Sequence, residues 1–149
     1  MERRSVAAII TFGSPSKPFL DYTNDRFLIA LRKPGGQMGN RWEFPGGKSE
    51  SGETDEESLI REIEEELHIT PRVGSFIGSA SFSNNAGKAR VYGYLVMIHT
   101  MPQTYQEHSQ LAWETFQRML DMPLVDSDKL LIQDIMNRNP QGLSVSLAK

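Results

Sequence analysis

Hydrophobic positions along the chain come mostly in short strand-like runs, interrupted by one stretch with a helical repeat. Residues 5–12 (SVAAIITF) and 26–32 (RFLIALR) are apolar nearly throughout, which predicts two buried strands. Residues 75–83 and 89–99 predict two more, joined by the turn-forming Asn84-Asn85-Ala86-Gly87-Lys88 as a hairpin. The second of these carries the mostly apolar run VYGYLVMI, which suits a strand covered on both faces. A short strand is expected at 110–114 and a short helix at 115–120. The helical repeat lies in the 50s and 60s, where Leu59, Ile60, Ile63 and Leu67 fall on one arc and Thr54 with Glu57 forms a capping box. A last helix, capped by Asp126 or Ser127, presents Leu131, Ile132, Ile135 and Met136 to a core.

Between the first two strands, residues 13–25 are rich in turn formers and longer than a tight hairpin needs, yet Phe19, Leu20 and Tyr22 predict that the loop packs. The tail from Asn139 is expected to fray. Neither a repeat nor a second domain is visible, so residues 1–149 read as one domain. A hydrophobic fraction of 38% and a charged fraction of 23% are ordinary for a globular protein. Without cysteines, disulfides and thiolate metal sites are excluded. The basic start MERR and the apolar residues after it imitate a signal peptide, but the apolar part is too short, and a first strand explains it better. No run approaches the ~20 apolar residues of a membrane helix, and a cytoplasmic protein is expected.

Charge is distributed unevenly. Residues 50–66 hold nine acids and one base, which leaves ten acids and fifteen bases for the rest of the chain. Glu62, Glu65 and Glu66 share one helical arc beside the apolar one, and like charges so placed repel. A solvated acidic face is the ordinary explanation. A cation is the other: Mg²⁺ takes one or two carboxylates together with substrate phosphates.

The spacing distinguishes these. Gly47, five residues, Glu53, seven residues, then Arg61-Glu62-Ile63-x-Glu65-Glu66-x-x-Ile69 resembles the Nudix box, departing only at His68, where the family has Gly. That residue ends the helix, and a left-handed turn there is open to His at some cost. The resemblance implies the Nudix α/β/α sandwich, a mixed sheet between helices carrying a loop-helix-loop. It also implies Mg²⁺, with Mn²⁺ as a substitute, held by Glu62, Glu65, Glu66 and the Gly46 carbonyl. The tract Glu107-His108-Ser109-Gln110-Leu111-Ala112-Trp113 resembles the MutT-type pattern, which adds Glu107 as a ligand from a facing loop. Glu62 is the first candidate for the general base and Glu107 the second. Arg32 and Lys48 are expected near phosphates, Phe44 beside a base and Asp128 at its edge, with Glu53 and Arg61 bracing the loop.

These features imply MutT-like hydrolysis of nucleoside triphosphates to monophosphate and pyrophosphate, with oxidised purine nucleotides such as 8-oxo-dGTP first. Alternatives are CTP-type nucleotides, a nucleotide sugar, another nucleoside diphosphate derivative such as a capped RNA end, or a binding module with a dead site. A dead module would be expected to lose carboxylates, and all are present. No clustered basic run favours RNA, so a nucleotide substrate without a stable nucleic-acid partner is expected, on a monomer or homodimer.

Overall fold

The computed structural model describes residues 2–36, 38–103 and 108–148. In chain order the elements are β1 (Arg3–Phe12), β2 (Phe19–Leu20), β3 (Phe27–Arg32), β4 (Trp42–Glu43), β5 (Gly46–Lys48), α1 (Asp55–Leu67), β6 (Arg72–Asn84), β7 (Gly87–Ile98), β8 (His108–Glu114), α2 (Phe116–Met119), α3 (Asp126–Arg138), β9 (Leu143–Ser144) and a closing 3₁₀ turn, Val145–Ala148. One mixed sheet runs β5-β1-β7-β6, with β1 parallel to β7 and the other pairs antiparallel. A second, antiparallel sheet runs β4-β3-β8.

Alternation along the strands divides the core in two. From β1, Val6, Ala8 and Ile10 join Leu59, Ile63 and Leu67 of α1, while Ala7 and Ile9 face the cluster holding Leu131, Ile132 and Ile135 of α3. Because side chains alternate with period two, a strand apolar at every position can serve both layers. The result is an α/β sandwich with α1 on one face and α3 on the other. Helix α1 begins at the predicted capping box: Thr54 accepts from the Glu57 backbone, and Glu57 accepts from that of Thr54. It ends at His68, which adopts φ 55° and ψ 37° and donates its N–H to the Glu64 carbonyl. The left-handed turn expected of a glycine is thus made by histidine.

Three expectations are corrected. Helix α3 is not capped by Asp126 or Ser127: its N-cap is Val125, with no side-chain cap, because Asp128 accepts from the Phe44 N–H and the exposed Asp126 pairs with Arg41. The hairpin loop is shorter than predicted, since Asn84 already pairs with Gly87. The tail does not fray. Strand β9 pairs with β2, Leu20 opposite Leu143, and both side chains are buried together with Ala148. The long first loop therefore has a packing role. Its Tyr22 stacks on Phe116 at 5.2 Å between ring centroids and donates to the Asn139 carbonyl. Strands β4 and β5 have no signature in the sequence, being short and made by pairing with β3 and β1.

Candidate active site

The loop and the helix lock together through two glycines. Gly46 has φ 147°, and a Cβ there would lie 2.1 Å from the Val6 carbonyl oxygen. A Cβ on Gly47 would lie 2.6–2.7 Å from the Glu62 carboxylate. Glycine is thus needed at the first position for torsion and close strand approach, and at the second so that Glu62 can fold over the backbone. The Gly46 N–H donates to Glu66 Oε2 at 3.0 Å, which ties the loop to the last acid of α1.

Arg61 organises the outer carboxylates. Its Nε donates to Glu53 Oε2 at 2.7 Å and its Nη2 to Glu53 Oε1 and to the Lys48 carbonyl, both at 3.0 Å. Nη1 reaches Glu62 at 2.9 Å, Glu65 at 3.5 Å and Glu50 at 3.7 Å. This goes beyond a brace to Glu53, because the same guanidinium offsets part of the repulsion within the cluster. Bonding to Arg61 above all, helped by the Glu50 and Ser58 region, holds the Glu53 carboxyl down to about 2, and Glu53 in turn raises the Arg61 pKa. Glu65 is 61% exposed, whereas Glu66 is 9% exposed.

On the inner side Glu66 meets two residues the sequence did not single out. Carboxylate oxygens of Glu43 and Glu66 and a ring nitrogen of His108 all lie within 4.8 Å of one another. His108 Nε2 is 2.8 Å from Glu43 Oε2, and Arg32 Nη1 is 3.2 Å from the same oxygen. His108 stands in the tract EHSQLAW named above and Glu43 just before Phe44, but their meeting depends on β3 pairing with β4 on one side and β8 on the other, which no local spacing reports. Carboxylate oxygens, with no thiolate donor in the chain, fit a hard divalent cation.

A cleft of about 140 Å³ opens here, lined by Glu43, Gly46 and Gly47 together with Phe82, Val91, Val125, Ser127 and Asp128. Asp128 is buried, its Oδ2 accepting from the Phe44 N–H at 2.9 Å. Burial pushes its carboxyl up to about 7, with nearby Glu43 adding to the rise and the Phe44 N–H opposing it. The Phe44 ring is 4% exposed and packs against Phe116 in the core, while the residue also forms part of the cleft wall. Lys48 is exposed at the end of β5, and Arg32 is spent on Glu43. Glu107 lies outside the described residues. Among those described, no helix is long and apolar enough to cross a membrane.

Several known proteins are similar. CTP pyrophosphohydrolase of Escherichia coli is 30% identical over 118 residues, covering 74% of this chain and 82% of that protein. A protein named putative 8-oxo-dGTP diphosphatase 2, from Mycobacterium tuberculosis, is 32% identical over 114 residues, covering 72% of this chain and 77% of its own length. The solution structure of the E. coli ORF135 protein superposes with a TM-score of 0.74 at 28% identity, over 91% of this chain and 89% of that one. The NUDIX domain model matches residues 3–135, so the chain belongs to that family and is a MutT-like Nudix hydrolase, a pyrophosphohydrolase of nucleotides.

Proposed function

We propose that the enzyme hydrolyses nucleoside triphosphates to the nucleoside monophosphate and pyrophosphate, with Mg²⁺ held by Glu62, Glu65, Glu66 and the Gly46 carbonyl, joined by Glu107. The observation that carries this reading is a single cleft lined both by Gly46 and Gly47, which lie against Glu66 and Glu62, and by the buried Asp128. In this reading the phosphates lie by the glycines and the base by Asp128. When bound, the cation neutralises the polyphosphate and polarises its phosphoryl oxygens. The chain's own residues orient the rest, since phosphoryl transfer asks mainly for positioning and charge neutralisation.

Glu62 is the general base in this reading. Arg61 Nη1 donates to its carboxylate at 2.9 Å and holds it against Gly47, beside the site where in this reading water would approach phosphorus. Water adds to phosphorus, its proton passes to Glu62, and the P–O bond to the leaving pyrophosphate breaks. Arg32 and Lys48 serve the phosphates, Arg32 first leaving Glu43. Asp128 meets the base edge with Oδ1, because Oδ2 is taken by Phe44, and the Phe44 ring supports the base from the wall.

Oxidised purine nucleotides such as 8-oxo-dGTP are the leading substrate class, supported by the mycobacterial relative's name. CTP-type nucleotides are the second, favoured by the similarity to a CTP pyrophosphohydrolase over most of its length. A cytoplasmic monomer or homodimer acting on free nucleotides accords with both. The test is product release with Mg²⁺ across a panel of ordinary and oxidised nucleoside triphosphates. Equal amounts of monophosphate and pyrophosphate are expected from at least one member. Failure to obtain pyrophosphate from any of them would remove the proposal.

A further inference from the structure

Glu43 has no role in the reading above, yet its place is among the most tightly specified in the molecule. Strand β4 is held from both sides: Ala30 pairs with Glu43 and Leu31 with Trp42, while the Trp42 N–H donates to Pro123 and the Trp42 carbonyl accepts from Val125. A side chain on so restrained a backbone arrives at Glu66 with little freedom left to lose. Its carboxylate comes within 4.8 Å of that of Glu66, both residues being largely shielded from water. Two carboxylates brought so close repel strongly unless a cation is shared, and the repulsion grows as water is excluded.

His108 explains how Glu43 is kept there. The pairing of β3 with β8 slips by one residue: Leu31 faces Gln110, but Arg32 faces His108, so Ser109 is an extra residue and the strand bulges. Bulges re-aim side chains near functional sites. This one turns the His108 ring inward, to 2% exposure, with Nε2 at 2.8 Å from Glu43. A carboxylate oxygen accepts, so in this contact Nε2 donates to Glu43, with Arg32 on the other flank. Nε2 is therefore already committed to Glu43 and acts as its anchor. An oxygen-only ligand set with a histidine behind it suits a hard cation, and hydrogen bonds to ligating carboxylates are a common means of fixing them.

We propose that Glu43 is a further ligand of the divalent cation held at Glu66, and that His108 is the residue that positions it. This rests on the metal assignment made above, and the experiment separates the two. Binding of Mn²⁺ alone to the full chain, without nucleotide, is measured by electron paramagnetic resonance and calorimetry. Glu43→Gln is expected to weaken binding by about tenfold or more, and His108→Asn by roughly tenfold, within the range found for partners behind a ligand. His108→Gln, whose amide nitrogen can stand where Nε2 does, is expected to keep most of the affinity, which a mere space-filling role would not predict. Wild-type affinity in Glu43→Gln, with Glu66→Gln impaired, overturns this inference alone. Wild-type affinity in Glu66→Gln as well overturns the metal assignment beneath it. Equal loss in His108→Asn and His108→Gln removes the positioning role. Should circular dichroism show that Glu43→Gln does not fold, Glu43→Asp keeps the charge but retracts the carboxylate, and wild-type affinity there overturns the inference equally.

Discussion

The acidic cluster has an outer half and an inner half, and the two meet their charge in opposite ways. Outside, Glu50, Glu53, Glu62 and Glu65 surround Arg61, a fixed cation supplied by the same helix. Inside, Glu66 and Glu43 converge with His108, and Arg32 reaches in only from the rim. Beside Arg61 the Glu53 carboxyl is drawn down to about 2, whereas burial above all, with Glu43 adding, pushes the Asp128 carboxyl up to about 7. The outer half thus has a fixed cation of its own. On the proposed function, the inner half depends more on an added one and is the more sensitive part of the site.

The largest expected effect comes from removing that sensitivity at its centre. Glu66→Gln should lower Mg²⁺-supported pyrophosphate release by roughly three orders of magnitude, about 4 kcal/mol of transition-state stabilisation, while circular dichroism stays native. Glu65→Gln should also cost orders of magnitude. If Glu65→Gln proves the more damaging of the two, the inner half is not the centre of the chemistry.

Asp128→Asn tests the inner environment through pH. The native carboxyl binds its proton more tightly than an unfolded one, so Asp128 costs stability progressively as pH rises from about 4 to about 7. Asparagine retains an acceptor for the Phe44 N–H and carries no charge, so the variant should lose that dependence. It should be the more stable protein at pH 8, by at most about 4 kcal/mol for a shift of this size, and should approach wild type near pH 4. Denaturant melts at several pH values give the comparison, and parallel curves would exclude the raised carboxyl.

Arg61→Ala should have the smallest effect on stability, although Glu62 loses its anchor as well. Removing a partly exposed guanidinium from four carboxylates is expected to cost about 1–2 kcal/mol once solvent screening is counted. Added Mg²⁺ should recover part of the loss by binding the native state. A melting temperature in the variant that ignores Mg²⁺ would mean that the two halves do not share one electrostatic balance.

Much of this was legible in the sequence because it is local. Thr54 and Glu57 are three residues apart, and the glutamates of α1 lie within two turns, so helical geometry alone brings them together. The strands of the sandwich show as apolar runs because they are covered on both faces. What stayed hidden depends on pairing between distant strands. Glu43 and His108 are 65 residues apart and meet through the β3 register and one inserted residue. The role of Asp128 is of the same kind: it is a first-turn acid of α3 by sequence, and only the fold brings it the Phe44 N–H just after β4.

The pairing of β2 with β9 has a practical consequence. Leu20 and Leu143 close over each other, and the Leu147 carbonyl lies so near Gly74 that a Cβ there would come within 2.2 Å of it. The last residues thus act as a buckle, fastening the first long excursion of the chain to the β6 edge. Trimming them to obtain a tidier crystallisation target would unclothe Leu20 and Tyr22, and a bulky fusion is better joined through a spacer that leaves this fastening undisturbed.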